Sequence, residues 1–170
     1  MNLVLISNLL SLVAQLLTIN ISLSRNKIRI LNYQFISMGL FAIASLLLKG
    51  YSAVVVDCVG IIRNFIVLKE LNNRSVEYVF IALTIILGIL FNNRGLWGLL
   101  PLVANLCQTY AIMKKDLPMY MLKILFGIAF LSWAVYDFLL ENYVSLAFGL
   151  VNVYISFREA YRLSQNKTGS

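Results

Sequence analysis

Apolar stretches of membrane-spanning length recur along the whole chain, and only short polar or charged gaps interrupt them. Taken between those breaks, the stretches cover residues 3–24, 31–48, 51–69, 76–91, 96–113, 118–139 and 142–161. A helix needs about 20 residues to cross the hydrocarbon core, so 170 residues supply at most about seven crossings and leave no room for a soluble domain. Composition agrees, with 61% of residues hydrophobic and 12% charged. The expected fold class is an all-α membrane protein of seven transmembrane helices. Histidine is absent, and Cys58 and Cys107 lie far apart inside apolar runs. That argues against a zinc or haem centre, a His-dependent triad and a disulfide framework, so no metal, cofactor or catalytic residue is expected.

The net charge of +7 has a topological reading rather than a nucleic-acid one, because the charges sit in the gaps between apolar runs. The gaps after runs one, three and five and the C-terminal stretch hold ten Lys or Arg residues, from Arg25 to Lys167; the opposite gaps hold Lys49 and Arg94. This asymmetry puts the N-terminus outside and the C-terminus in the cytoplasm, as an odd number of crossings requires. The first positive charge is Arg25, so the first run lacks the basic start of a cleaved signal and reads as a retained helix.

Sliding the chain against itself exposes a repeat near 90 residues. Leu12-Val13-Ala14-Gln15-Leu16 aligns with Leu102-Val103-Ala104-Asn105-Leu106, and Leu48-Lys49-Gly50-Tyr51 aligns with Leu140-Glu141-Asn142-Tyr143. Helices 1–3 thus map onto helices 5–7, with helix 4 left over. The expected organisation is a first three-helix bundle over 1–71, a linker helix over 72–94, a second bundle over 95–163 and a cytoplasmic tail over 164–170. Four crossings separate the units, so they run in the same direction and are related by a pseudo-two-fold axis along the membrane normal.

Polar groups in hydrocarbon are costly unless they face protein or a wet cavity, so their helical spacing marks the inward face. Helix 3 carries Asp57, Gly60 and Asn64 on one face, and helix 7 carries Ser145, Gly149, Asn152 and Ser156. Helix 1 carries Ser7, Ser11, Gln15, Thr18 and Ser22, matched in helix 5 by Pro101, Asn105 and Gln108. Helix 6 adds Trp133, Tyr136 and Asp137 toward its outer end. Paired stripes point to one central cavity, with Asn152, Gly60, Asn64, Ser156, Trp133, Asp57, Asn105, Gln15, Tyr136 and Asp137 as candidate substrate-binding residues. Such amides, hydroxyls and rings match a small polar solute. The competing reading makes the small and hydroxyl residues helix-contact positions and the amides interhelical glue. For Asp57 and Asp137 the alternative is an exposed helix-end charge or pairing with Lys49 or Arg94. Arg63 stands about two turns from the basic end of helix 3, within snorkelling reach. Pro101 is a candidate hinge in helix 5, through loss of a backbone hydrogen bond.

The residues Leu99-Leu100-Pro101-Leu102-Val103, Ile62-Arg63 with the Ile66–Lys69 stretch, Ser132-Trp133, and Leu150-Val151-Asn152 leading to Phe157-Arg158 resemble the bacterial inner-membrane YgjV family, which is related to the SWEET, PQ-loop and PnuC transporters. The resemblance implies a bacterial cytoplasmic-membrane location and a SWEET-like three-plus-one-plus-three fold with each bundle packed in the order 1, 3, 2. It also implies that Asn152, on the third helix of the second repeat, contacts the solute midway through the membrane, with Gly60 as its counterpart. The proline that adjoins the glutamine in a PQ-loop is absent beside Gln15. The resulting expectation is a facilitative or proton-coupled carrier of a small polar solute, seated between helices 3 and 7. Its partners are the solute, the bilayer and, as a homo-oligomer, further copies of itself. A non-transporting receptor or assembly partner with the same fold is the rival, and an intramembrane enzyme using Asp57 and Asp137 lacks any supporting motif.

Overall fold

The computed structural model describes residues 3–168, with side chains through Gln165. Seven α-helices and one 3₁₀ turn make up the described chain, and no strand occurs among those residues. They are α1 (Leu3–Leu23), α2 (Lys27–Leu47), α3 (Tyr51–Leu68), α4 (Arg74–Leu90), the 3₁₀ turn Gly95–Leu99 running into α5 (Leu100–Met113), α6 (Met119–Leu139) and α7 (Tyr143–Thr168). Helix α2 begins four residues before the apolar run does, because the Asn26 side chain accepts from the backbone N–H groups of Ile28 and Arg29. Asn73 caps α4 in the same way through Val76. Helix α7 continues to Thr168, so most of the expected tail is helical; residues 169–170 and the Lys167 side chain lie outside the described ones. Five helical segments are long and apolar enough to cross a membrane: α1, α2, α3, Gly95–Met113 and α6. At 17 residues, α4 reaches only about 25 Å, less than a full hydrocarbon thickness.

Six helices close into a ring in the order α1, α2, α3, α5, α6, α7, with α7 returning to α1. Helix α4 packs outside the ring against α3 and α5. The middle helix of each triplet therefore lies between the other two, which corrects the expected 1, 3, 2 order. The connections explain it: residues 24–26, 48–50 and 140–142 are too few to let a chain pass over a neighbour, so successive helices pack side by side.

Hydrogen bonds across the loops fix which ends lie together. Arg25 reaches Glu159, Lys27 reaches the Lys114 carbonyl, and Asn72 reaches the Met113 carbonyl, gathering those basic loops and the end of α7 at one end. At the other end, Asn93 and Arg94 bond the Lys49 and Leu48 carbonyls, and Asn142 bonds Ser11. An apolar cluster occupies each end of the ring's interior. Ile21, Ile30, Leu31, Ile112, Leu122 and Phe126 belong to the one at the basic end. Ala53, Tyr136 and Leu140, with Leu48, Leu100 and Trp133 against them, form the one at the opposite end. Large apolar side chains such as Leu9, Val13 and Leu16 face outward and exposed, as lipid contact demands.

Three turns end in a left-handed residue that is not glycine: Lys49 (φ 57°), Glu70 (φ 57°) and Glu141 (φ 59°). In each, the next residue's N–H bonds back five positions, as Gly50 to Ser45, Leu71 to Ile66 and Asn142 to Asp137, which is the Schellman closure of a helix C-terminus. Because this conformation costs a side-chain-bearing residue about 1 kcal/mol, Lys49→Gly and Glu141→Gly should each raise the unfolding midpoint in detergent, whereas Lys49→Val should lower it.

Candidate functional site

At the centre of the ring, between the two apolar clusters, lies a cavity of about 40 Å³, room for about three waters. All six ring helices line it. The largest shares come from α2, through Gln34, Ser37, Met38, Phe41 and Ser45, and from α6, through Phe126, Phe130, Trp133 and Asp137. The α2 set falls at i, i+3, i+4, i+7 and i+11 and the α6 set at i, i+4, i+7 and i+11, so each occupies one helical face. Helix α1 adds Gln15, Thr18 and Ile21; α3 adds Asp57; α5 adds Gln108; and α7 adds Ser145 and Gly149.

Of the ten candidate substrate-binding residues, Gln15, Asp57, Trp133 and Asp137 line this cavity, as do Thr18, Gln108, Ser145 and Gly149 from the same polar stripes. Asn152, Gly60, Asn64, Ser156, Asn105 and Tyr136 do not; they sit in the helix contacts around it. Asn152 is fully buried and its amide is spent: Nδ2 donates to Gln15 Oε1 at 3.0 Å and to the Phe148 carbonyl at 3.1 Å, and Oδ1 accepts from Ser22 Oγ at 2.8 Å. Ser156 Oγ lies 3.3 Å from Ser22 Oγ on the same seam. Asn152 thereby orients Gln15, whose Nε2 reaches Ser145 Oγ at 2.9 Å, and that hydroxyl donates in turn to Asp137.

A second network closes the other side. Asn64 accepts from Arg63 through two guanidinium nitrogens at 3.0 and 2.8 Å, and donates to Gln34 Oε1 at 3.2 Å. Gln34 donates to Gln108 Oε1 at 2.9 Å, so this chain of amides ends on the cavity wall. Arg63 also bonds Thr109, which bonds Asn105, whose Nδ2 donates to the Val56 carbonyl at 2.7 Å. Arg63 is fully buried; it does not snorkel, because Asn64 and Thr109 satisfy its guanidinium inside the bundle. Gly60 leaves the space that the Met38 side chain fills, since a Cβ there would run into Met38 Cε, and it also lets Asn105 approach, whose Nδ2 would lie 3.1 Å from that Cβ.

The two acids are not exposed helix-end charges: Asp57 is 2% and Asp137 8% exposed, and neither forms an ion pair with Lys49 or Arg94. Asp57 Oδ2 is buried without a hydrogen-bond partner. Trp133 and Tyr136 meet edge to face at 6.2 Å, and the Tyr136 hydroxyl lies 3.3 Å from Ser52, so Tyr136 belongs to the apolar closure beyond the cavity. Pro101 falls in the first turn of α5, where a backbone N–H has no intrahelical partner to lose, so the discontinuity at this point is the junction of the 3₁₀ turn with α5.

Sequence reasoning missed the α2 face entirely, although Gln34, Ser37 and Ser45 have the spacing that marked the other helices. It also passed over Lys123, which is 1% exposed and donates to the Ile21 and Ser22 carbonyls at 2.8 Å. Those carbonyls belong to the last turn of α1, where they lack intrahelical partners and carry the negative end of the helix dipole.

Because Asn152 links α1 to α7 rather than contacting the cavity, Asn152→Ala should cost about 1 kcal/mol of stability, the usual scale of an interhelical hydrogen bond in membranes. Loss of Gln15 orientation should accompany it. A detergent unfolding series on the single variants and the Gln15→Ala/Asn152→Ala pair measures both, with coupling between the two positions as the expected result.

No curated protein and no solved structure matches the chain. The profile of Imp-YgjV, a bacterial inner membrane protein family, matches residues 5–167. With nearly its whole length inside that match, and with apolar helices of membrane-crossing length, the chain belongs to the Imp-YgjV family of bacterial inner membrane proteins.

Proposed function

We propose that this protein carries a small polar solute across the bacterial inner membrane by alternating access, with the central cavity as the solute site. The single observation that carries this reading is a largely closed cavity, with polar side chains set into a mostly apolar wall, held between two apolar clusters on the axis of a ring of helices. In a carrier, opening one closure while the other stays shut exposes the same site to each side in turn. The present arrangement is then the occluded state. About 40 Å³ holds no metabolite, so loading requires the bundles to part.

Internal symmetry supports the reading. The turns at Lys49 and Glu141 share a left-handed residue and the same backbone hydrogen bonds, at the offset by which the sequence aligns them. Gln15 on Asn152 is matched by Asn105 against Gly60, and the contact of α1 with α7 by that of α3 with α5. On this basis α1–α3 and α5–α7 are parallel repeats, and α4 is the linker that lets both run in one direction. Seven crossings follow, with the basic end and the C-terminus in the cytoplasm. The two triplets rock about the cavity, the 3₁₀ junction before Pro101 absorbing part of the motion.

Within the site, Gln15, Asp57, Trp133 and Asp137 touch the solute, joined by Gln34 and Gln108. Asn152, Gly60, Asn64, Ser156, Asn105 and Tyr136 hold that wall in place. Proteoliposomes containing the full chain should accumulate or exchange some member of a panel of labelled polar metabolites, and Ser37→Leu, which fills the cavity from a lining position, should bring that flux to background without loss of the folded protein. Thermal stabilisation by a panel member without flux would instead establish a receptor.

A further inference from the structure

The lining of the cavity carries a sign. Two carboxylates, Asp57 and Asp137, face it, and no Lys or Arg lines it. The bundle does contain two deeply buried cations, but both are committed elsewhere: Arg63 to Asn64 and Thr109, and Lys123 to the end of α1. Asp137 is answered only by the Ser145 hydroxyl. Asp57 is 2% exposed, lines the cavity, and keeps Oδ2 buried with no partner of its own. A buried acceptor of that kind costs free energy unless something donates to it, and two acids in one low-dielectric space compound the cost. A cation in the cavity removes both penalties at once.

The remaining surface selects the kind of cation. Four aromatic rings, Phe41, Phe126, Phe130 and Trp133, line the same space, which favours an organic cation with an apolar body over a bare metal ion. The carbonyl oxygens of Gln15, Gln34 and Gln108 each already accept one hydrogen bond, from Asn152, Asn64 and Gln34, and each keeps a second lone pair as an acceptor for ammonium protons. We infer that the solute of this site is a small organic ammonium compound, bound through its N–H groups to Asp57 and Asp137 with its carbon chain against the aromatic wall. The inference rests on the carrier reading above for its transport, but not for its binding.

A four-carbon series separates the possibilities: putrescine, 1,4-butanediol and succinate share a length and differ in charge. With the full chain in detergent, putrescine should raise the unfolding temperature in a dose-dependent way, while the diol and the dianion leave it unchanged. Asp57→Asn and Asp137→Asn should each lose that shift, and labelled putrescine should enter wild-type proteoliposomes. Stabilisation by butanediol or succinate equal to that by putrescine overturns the assignment, as does no response to any of the three, or a full putrescine response in both Asn variants. Uptake of the diol in preference to putrescine removes the cation class and leaves a carrier; a putrescine-specific shift with no uptake keeps the cation site and removes the carrier. Should Asp57→Asn fail to fold, Asp137→Asn and the charge series on wild type decide the matter.

Discussion

Every polar group turned away from lipid in this protein must find its partner inside the protein, and that one requirement organises the structure. The helices satisfy their own backbones, which leaves side chains to link them. They do so through amide and hydroxyl seams: Asn142 to Ser11, Asn152 to Gln15 and Ser22, Asn105 to Val56, and Asn64 to Gln34. The same requirement governs the two deepest cations. Arg63 is held by side-chain oxygens and Lys123 by carbonyls at a helix end, where the missing intrahelical donors leave lone pairs free. Among the described residues neither cation forms a salt bridge, since oriented dipoles meet its donors at hydrogen-bond distance.

Against that background the cavity stands out because one carboxylate oxygen in its wall, Asp57 Oδ2, is buried without a hydrogen-bond partner. Its wall is the place where the two seams meet. One arrives through Asn152, Gln15 and Ser145, the other through Arg63, Asn64, Gln34 and Gln108. A motion that disturbs either seam therefore changes the wall, and an occupant that reorients Gln15 or Gln34 acts on contacts between helices. This coupling is a physical route from solute to bundle movement: the same amides serve both.

Much of the fold was legible in the chain because a bilayer reduces folding to few variables. Length of apolar run, polar gap and side-chain period sufficed to read seven helices, most of their ends and the inward faces of α1, α3, α5, α6 and α7. The ends that slipped did so for local reasons. Asn26 begins α2 inside a charged gap that reads as loop, and α7 continues past its apolar stretch because a helix that has left the hydrocarbon pays little for polar residues. The face of α2 went unread because its polar positions Gln34, Ser37 and Ser45 are interleaved with the apolar Met38 and Phe41, which diluted the stripe. Ring order follows from loop length, because connections as short as residues 24–26, 48–50 and 140–142 hold successive helices side by side.

The sequence by itself determined the membrane setting, the helix count, the basic end and the residues with reason to face inward, since each of these depends on one helix and the solvent around it. Tertiary structure decided which inward residues touch the cavity and which are consumed in holding it. Asn152 and Gln15 both lie on inward-facing stripes and share the amide group, yet one is a bracket and the other a wall. That distinction depends on the rotation and depth of neighbouring helices, set by packing among all six, and no single helix carries it.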